Sequence, residues 1–184
     1  MKTGHLRWVM GMVAVATLVA LGSALRAEPQ QAAAGNPILV LETAKGTIEI
    51  ELFPKEAPKT VEHIVTLVKK NFYRGQRFHR AEGSVVQIGD PASRNMTRKA
   101  WWGRSNEGPA VGVAEFSKRL TNTRGAVGMA HAGSAEYART QFYILKRANP
   151  ELDGKHAVFG RVISGLAVLD KLEVADMLKT ATIR

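Results

Sequence analysis

Between Phe78 and Val162 the chain is built from short apolar runs, each broken by glycine or polar residues. Val85-Val86-Gln87-Ile88, Ala126-Val127-Gly128-Met129-Ala130, Gln141-Phe142-Tyr143-Ile144-Leu145 and Ala157-Val158-Phe159-Gly160-Arg161-Val162 are the clearest of them. Runs this short, rich in β-branched and aromatic residues, are strands and not helices. Ile38 to Leu41 is a further run. It is interrupted by Ala44-Lys45-Gly46, after which Thr47 to Leu52 alternates, with Ile48, Ile50 and Leu52 on one side and Glu49 and Glu51 on the other. The pair reads as a hairpin ended by Pro54. Many short strands with few helices imply an antiparallel barrel or sandwich. The chain has no internal repeat. Pro91 to Val113 is its least regular stretch and reads as a long surface loop.

Two segments carry helical periodicity. Pro58 opens the first, where its missing N–H costs nothing. Val61, Ile64, Val65 and Val68 then share one face. Lys69 and Lys70 suit the negative end of the helix dipole, and Asn71 is the expected stop. His63 lies beside the apolar face and reads as a packed helix residue rather than a ligand. The second segment follows Ser164-Gly165, with Leu166, Leu169 and Leu172 spaced by three.

The ends of the chain differ in kind. Lys2, His5 and Arg7 precede the 18 uncharged residues from Trp8 to Leu25, and no acid occurs before Glu28. A basic start, an apolar middle and small residues after it form a secretory signal pattern, with cleavage expected after Ala24 or Ala27. The competing reading is an uncleaved membrane anchor, because the apolar run reaches the lower limit for spanning a bilayer. Residues 1–27 are thus read as signal peptide or anchor, 28–37 as a small-residue linker and 38–184 as one exported domain, periplasmic or secreted. A domain of that length buries a core without staples. The absence of cysteine excludes disulfides, thiol nucleophiles and thiolate metal ligands. The net charge is +10, yet no run of cations exceeds two and no nucleic-acid motif accompanies them. We read the excess as a basic soluble surface, with a nucleic-acid binder set far behind.

Several chemistries lack their motifs. There is no GxGxxG or GxxxxGK[ST] loop, no GxSxG elbow and no HExxH, and the five histidines show no metal-ligand spacing. Asp153-Gly154 reads as a turn. What remains is an ordered set of segments. Glu51-Leu52-Phe53-Pro54 leads into the first helix. Phe78-His79-Arg80, Gln87-Ile88-Gly89-Asp90, Thr123-Arg124-Gly125 and Met129-Ala130 follow. Gln141-Phe142-Tyr143-Ile144 and Leu152-Asp153-Gly154-Lys155-His156-Ala157-Val158-Phe159-Gly160 complete it. In this order, from about Ile38 to Val174, the set resembles the cyclophilins, which are peptidyl-prolyl cis-trans isomerases.

The resemblance implies a mainly β fold, a closed eight-stranded antiparallel β-barrel capped by two α-helices. It implies an isomerase that accelerates rotation about X–Pro bonds, here during the folding of exported proteins. Its partners would be proline-containing polypeptides, the molecule a monomer, and no metal or cofactor would be needed. By position, Arg80 resembles the catalytic arginine and Gln87 the glutamine that positions it. His79, Val85, Ala130, His131, Gln141, Tyr143, Leu152 and His156 fall on substrate-binding positions. The chain also departs from the pattern. Arg80 to Gln87 is about one residue short. Ser84 stands where a pocket phenylalanine is typical, Tyr143 replaces phenylalanine, His131 replaces asparagine, and Glu151 replaces an aromatic residue. Ser84 leaves the proline slot short of a ring unless Tyr143 fills it. The rival reading is therefore a catalytically weak polypeptide-binding module or chaperone on the same fold.

Overall fold

A computed structural model describes residues 35–184; the signal or anchor segment 1–27 and most of the 28–37 linker lie outside the described residues. β1 (Ile38–Thr43) and β2 (Gly46–Leu52) form the expected hairpin. Leu39, Leu41, Ile48, Ile50 and Leu52 are completely buried, so the period-two alternation sends one face of both strands inward. The Thr43 hydroxyl donates to the Gly46 carbonyl and accepts from the Lys45 N–H, closing the turn.

α1 (Pro58–Lys69) starts at Pro58 and buries Val61, Ile64, Leu67 and Val68. Its apolar stripe includes Leu67, while Val65 is only partly covered. Asn71 takes φ 54° just past the helix, a left-handed position that asparagine tolerates better than most residues. α2 (Leu166–Lys171) is shorter and buries Leu169.

The remaining strands are β3 (Arg80–Glu82), β4 (Val85–Ile88), β5 (Ala126–Met129), β6 (Phe142–Leu145), β7 (Val158–Ser164) and β8 (Leu178–Ile183). All pairings are antiparallel, in the order β3-β4-β6-β5-β7-β2-β1-β8. The sheet curls until the segments entering its two edge strands meet. Arg77 and Met177 form an isolated antiparallel bridge, and Phe78 N–H donates to Asp176 O while Leu178 N–H donates to Gln76 O. The result is the eight-stranded, two-helix architecture expected from the resemblance.

One expectation changes. Pro91 to Val113 is not uniformly irregular: it opens with two 3-10 helices, Pro91–Arg94 and Met96–Trp101. The cause is local. Asp90 and Asn95 each accept a backbone N–H two residues on, from Ala92 and Thr97, and such side-chain caps nucleate tight helical turns.

Candidate active-site groove

The strands that carry the site present two unlike faces. Val86 and Ile88 of β4, Val127 and Met129 of β5, and Phe142 and Ile144 of β6 point into the main core. The alternate residues Val85, Ala126, Tyr143 and Leu145, with Val158 of β7, form a separate small cluster on the outer face, joined by Leu120, Ala130 and Leu152. That outer cluster floors an open groove of about 750 Å³. Register fixes the layout. Arg80 pairs with Gln87, Gln87 with Tyr143, Tyr143 with Gly128 and Gly128 with Val158, so one row of residues runs straight across the sheet.

At one end of the row Arg80 is exposed, and among the described residues its guanidinium has neither a hydrogen-bond partner nor a carboxylate. Gln87 beside it donates through Nε2 to Gln141 Oε1 at 2.9 Å. Gln141 in turn donates to the carbonyls of Ser105 (3.1 Å) and Gly103 (3.3 Å), which ties the 103–106 segment to the groove edge. Gln87 was expected to orient Arg80. Its side-chain hydrogen bond goes to Gln141 instead, and Arg80 meets Gln87 only as a cross-strand neighbour.

The chain just before Gln141 is clamped from three sides. Tyr73 OH donates to Thr140 O at 3.0 Å, Thr140 Oγ1 donates to Gly89 O at 2.8 Å, and His63 Nε2 on α1 contacts Arg139 O at 2.5 Å. Gly89 is required there: φ is +114°, and a Cβ would sit 2.2 Å from the Thr140 carbonyl oxygen. His63 is half-buried, and desolvation holds its pKa below the usual value. Burial also raises the Tyr73 pKa far above the usual tyrosine range.

Tyr143 lies across Gly128. A Cβ on Gly128 would fall 2.3 Å from the tyrosine oxygen, so only glycine leaves room for this side chain. The hydroxyl donates to Asn122 Oδ1 at 2.6 Å, and Asn122 is held by Asp153 Oδ1 through its backbone N–H (2.7 Å) and its Nδ2 (2.8 Å). Asp153 thus anchors the floor of the groove, a role beyond the turn read from its sequence. Burial raises the Tyr143 pKa, with the Asp153 charge adding to the shift. This direction toward β5 takes the ring away from Ser84, which sits at the β3–β4 turn and also lines the groove. The expectation that Tyr143 fills the space left by Ser84 is therefore replaced: Tyr143 forms the floor, and the wall at Ser84 stays open.

Two imidazoles close the far side. His131 and His156 stack with centroids 4.2 Å apart and planes at 28°, and Tyr143 meets His156 edge-on at 5.7 Å. His156 Nδ1 contacts Met129 O at 3.0 Å and His131 Nε2 contacts Lys155 O at 2.9 Å. As carbonyls only accept, both nitrogens carry protons. Desolvation lowers the His156 pKa, opposed by its bond to Met129.

All the residues carried over by resemblance line the groove except one. His79 lies behind it, its ring nitrogens buried without partners, and Gly103 rests on the ring. Desolvation pulls the His79 pKa down to about 4, against the opposing pull of Asp90. Sequence reading missed Asn122, Gly128, Ser105, Tyr137 and Arg139. For Asn122 a signal existed, because a buried tyrosine needs a partner for its hydroxyl. Among the described residues no cluster of three or more metal-ligating side chains occurs.

Residues 38–183 match the family described as cyclophilin type peptidyl-prolyl cis-trans isomerase/CLD. The chain belongs to that family. It is 40% identical over 137 residues to the human peptidyl-prolyl cis-trans isomerase-like 3, covering 73% of this chain and 81% of that one. It is 37% identical over 143 residues to a peptidyl-prolyl cis-trans isomerase of Helicobacter pylori, covering 76% and 82%. Against the Cryptococcus neoformans peptidyl-prolyl isomerase CWC27 it is 34% identical over 145 residues but spans only 28% of that protein's length. A crystal structure of a cyclophilin-type isomerase from Cryptosporidium parvum superposes with a TM-score of 0.68 at 23% identity, over 80% of this chain and 96% of that one. A cyclophilin from Hirschia baltica superposes at 0.67 and 24% identity, over 79% and 73%. These two likenesses speak for the cyclophilin fold.

Proposed function

We propose that the groove accelerates cis–trans rotation about X–Pro bonds in polypeptides. The observation that carries this reading is the transverse row. It sets an uncompensated guanidinium at Arg80 beside an amide pair, Gln87 and Gln141, and next to an apolar floor made by Val85, Tyr143 and Leu152. The barrier to rotation, about 18–20 kcal/mol, comes from the partial double bond of the amide. As the amide twists, resonance is lost and the nitrogen becomes basic. Arg80 can donate to that nitrogen or to the prolyl carbonyl without transferring a proton, and it stays charged at any working pH. Gln141 and the Ala130 backbone grip the flanking chain while the ring rests on Tyr143, Leu152 and His156. No bond is made or broken, so these side chains suffice for the reaction.

A second reading has its own support. Arg80 lacks a hydrogen bond that would hold it, and the wall at Ser84 is open, which favours a polypeptide-binding module with weak catalysis. Isomerisation of a short Ala-Pro peptide by the full chain separates the two: the first predicts acceleration that disappears in Arg80→Ala, the second binding with little acceleration.

We further propose that the protein acts on exported polypeptides, a reading supported by the basic and then apolar start of the sequence. N-terminal sequencing of the mature protein tests the location, with Leu25 or Glu28 as the expected first residue. An intact Met1 on a membrane-bound protein would favour the anchor.

A further inference from the structure

The groove holds more positive charge than a prolyl slot requires. Besides Arg80 it is lined by Arg104 and Arg139, and no aspartate or glutamate is among its lining residues. Among the described residues none of the three guanidiniums lies within 4.0 Å of a carboxylate. Arg139 donates to the Gly108 carbonyl, and Arg104 stands over the Trp101 ring with its carbon 5.5 Å from the centroid. A guanidinium stacked on an aromatic face is oriented but keeps its charge and its donors. The nearest acids stand outside the lining, and the buried Asp90 carboxylate behind the 103–106 edge is taken up by the Ala92 and Gly103 N–H groups. Glu82, Glu107 and Glu151 are exposed and outside the lining, and the Glu136 carboxylate is engaged by the Ser134 hydroxyl. The field extends outward, since the stretch from Arg94 to Arg104 also holds Arg98 and Lys99 and no acid. Trp101 is 60% exposed and Tyr137 64%, leaving apolar surface at the groove rim for a bound chain to cover.

A cleft lined by one sign of charge concentrates the opposite sign and discriminates among partners more than it adds raw affinity. We propose that the groove selects polypeptides that carry aspartate or glutamate close to the proline, the carboxylate pairing with Arg104 and Arg139 at the 103–106 edge. The inference rests on the reading of the groove as a prolyl-polypeptide site. The Gln87–Gln141 amides and the Tyr143 floor suit a peptide backbone and a proline ring better than a nucleic acid, although arginines beside exposed aromatics also serve single strands.

The test uses the full chain and capped peptides with one Ala-Pro bond, carrying either glutamate or its neutral isostere glutamine within three residues of the proline. Binding is read by titration and isomerisation by NMR exchange on the same samples. At low ionic strength the glutamate peptides should bind roughly three- to tenfold tighter than their glutamine twins, and 0.5 M salt should shrink the ratio. Arg104→Gln should bring the ratio toward one, and Arg104→Glu should reverse it in favour of lysine peptides. Lys179→Gln, on β8, removes the same net charge elsewhere and should leave the ratio intact. A ratio of one in the unaltered chain overturns the proposal. So does an equal loss in Lys179→Gln, or a ten-nucleotide oligothymidine that binds tighter than any glutamate peptide. The exchange rates read the other claim separately: glutamate preference without acceleration keeps the acidic selectivity and removes the isomerase.

Discussion

Strands β4, β5 and β6 can be compared with themselves. Their inward face, with Val86, Ile88, Val127, Met129, Phe142 and Ile144, is almost completely buried. Their outward face, with Val85, Gln87, Gly128, Tyr143 and Leu145, is part of a groove edged by Arg80 and two imidazoles. Alternate residues of the same short run therefore answer to different demands. On one face, volume decides. On the other, where each polar group points decides, and Tyr143 requires Gly128 opposite, Asn122 at its tip and Asp153 behind. Substitutions on the two faces should separate stability from activity.

The largest separation is expected at neighbouring residues. Phe142 is completely buried and meets Tyr73 and Phe159 edge-on at 5.4 and 6.1 Å. Phe142→Ala should cost about 3–5 kcal/mol of stability, read from the urea midpoint. A cost near zero would mean that the inward face is not a packed core. On the other side, Arg80→Ala should lower kcat/KM by about 10²–10³, the scale for losing one preorganised donor, while stability moves by less than about 0.5 kcal/mol. Arg80→Lys should restore little, because an ammonium cannot reproduce the guanidinium fork. Unchanged turnover in Arg80→Ala would remove Arg80 from the mechanism.

His79 sits behind the groove face and should couple the comparison to pH. Its pKa is about 4 in the folded chain, against an ordinary 6.5. The unfolded chain therefore takes up the proton first as pH falls. The neutral buried ring contributes fully above pH 6.5, and this contribution is lost between pH 6.5 and 4, at most roughly 3 kcal/mol. His156 and His63 titrate in the same direction, so the clean measurement is a difference. His79→Leu should lose less stability than the unaltered chain on going from pH 7 to pH 4.5, by urea unfolding at each pH. Parallel losses would mean that His79 is hydrated and titrates normally.

How far the sequence could be read follows the same division. The inward face was legible because burial leaves a period, as in Ile48, Ile50 and Leu52 or Val61, Ile64 and Val68. β3 and β8 were not picked out. The first is three residues long, and the second alternates too weakly to stand out, with a burial pattern of only Leu178 and Ala181. The groove was legible through ordered motifs for Arg80, Gln87, Gln141 and His156, all of which line it. It was not legible for Arg139, whose bond to the Gly108 carbonyl no local pattern records, or for Tyr137, which ends the 3-10 helix Ala135–Tyr137. His79 shows the converse failure, for adjacency to Arg80 in a motif does not put both side chains on one face of a strand.

The smallest effect concerns the open wall. Ser84 follows Gly83 at the β3–β4 turn, and its carbonyl accepts from the Lys146 N–H at 2.7 Å. Replacing its side chain leaves that bond in place. Tyr143 pairs with Gln87, not with the turn, and its hydroxyl is committed to Asn122 on the β5 side. A ring at position 84 would therefore enter groove space and not a filled core. Ser84→Phe should tighten binding of an Ala-Pro peptide by about 1 kcal/mol, an area-based figure for a ring covered on one face. Stability should change by less than about 0.5 kcal/mol, as for other substitutions outside the core. The measurements are KM and the urea midpoint of the same variant. A stability loss of about 1–3 kcal/mol, the usual cost of overpacking, would show that the ring meets Tyr143 or Leu145 after all and that the groove is closed at this end. Unchanged KM with unchanged stability would show that substrate passes on the other side of Arg80, so that the two walls of the groove, at Ser84 and at Arg104, are not used together.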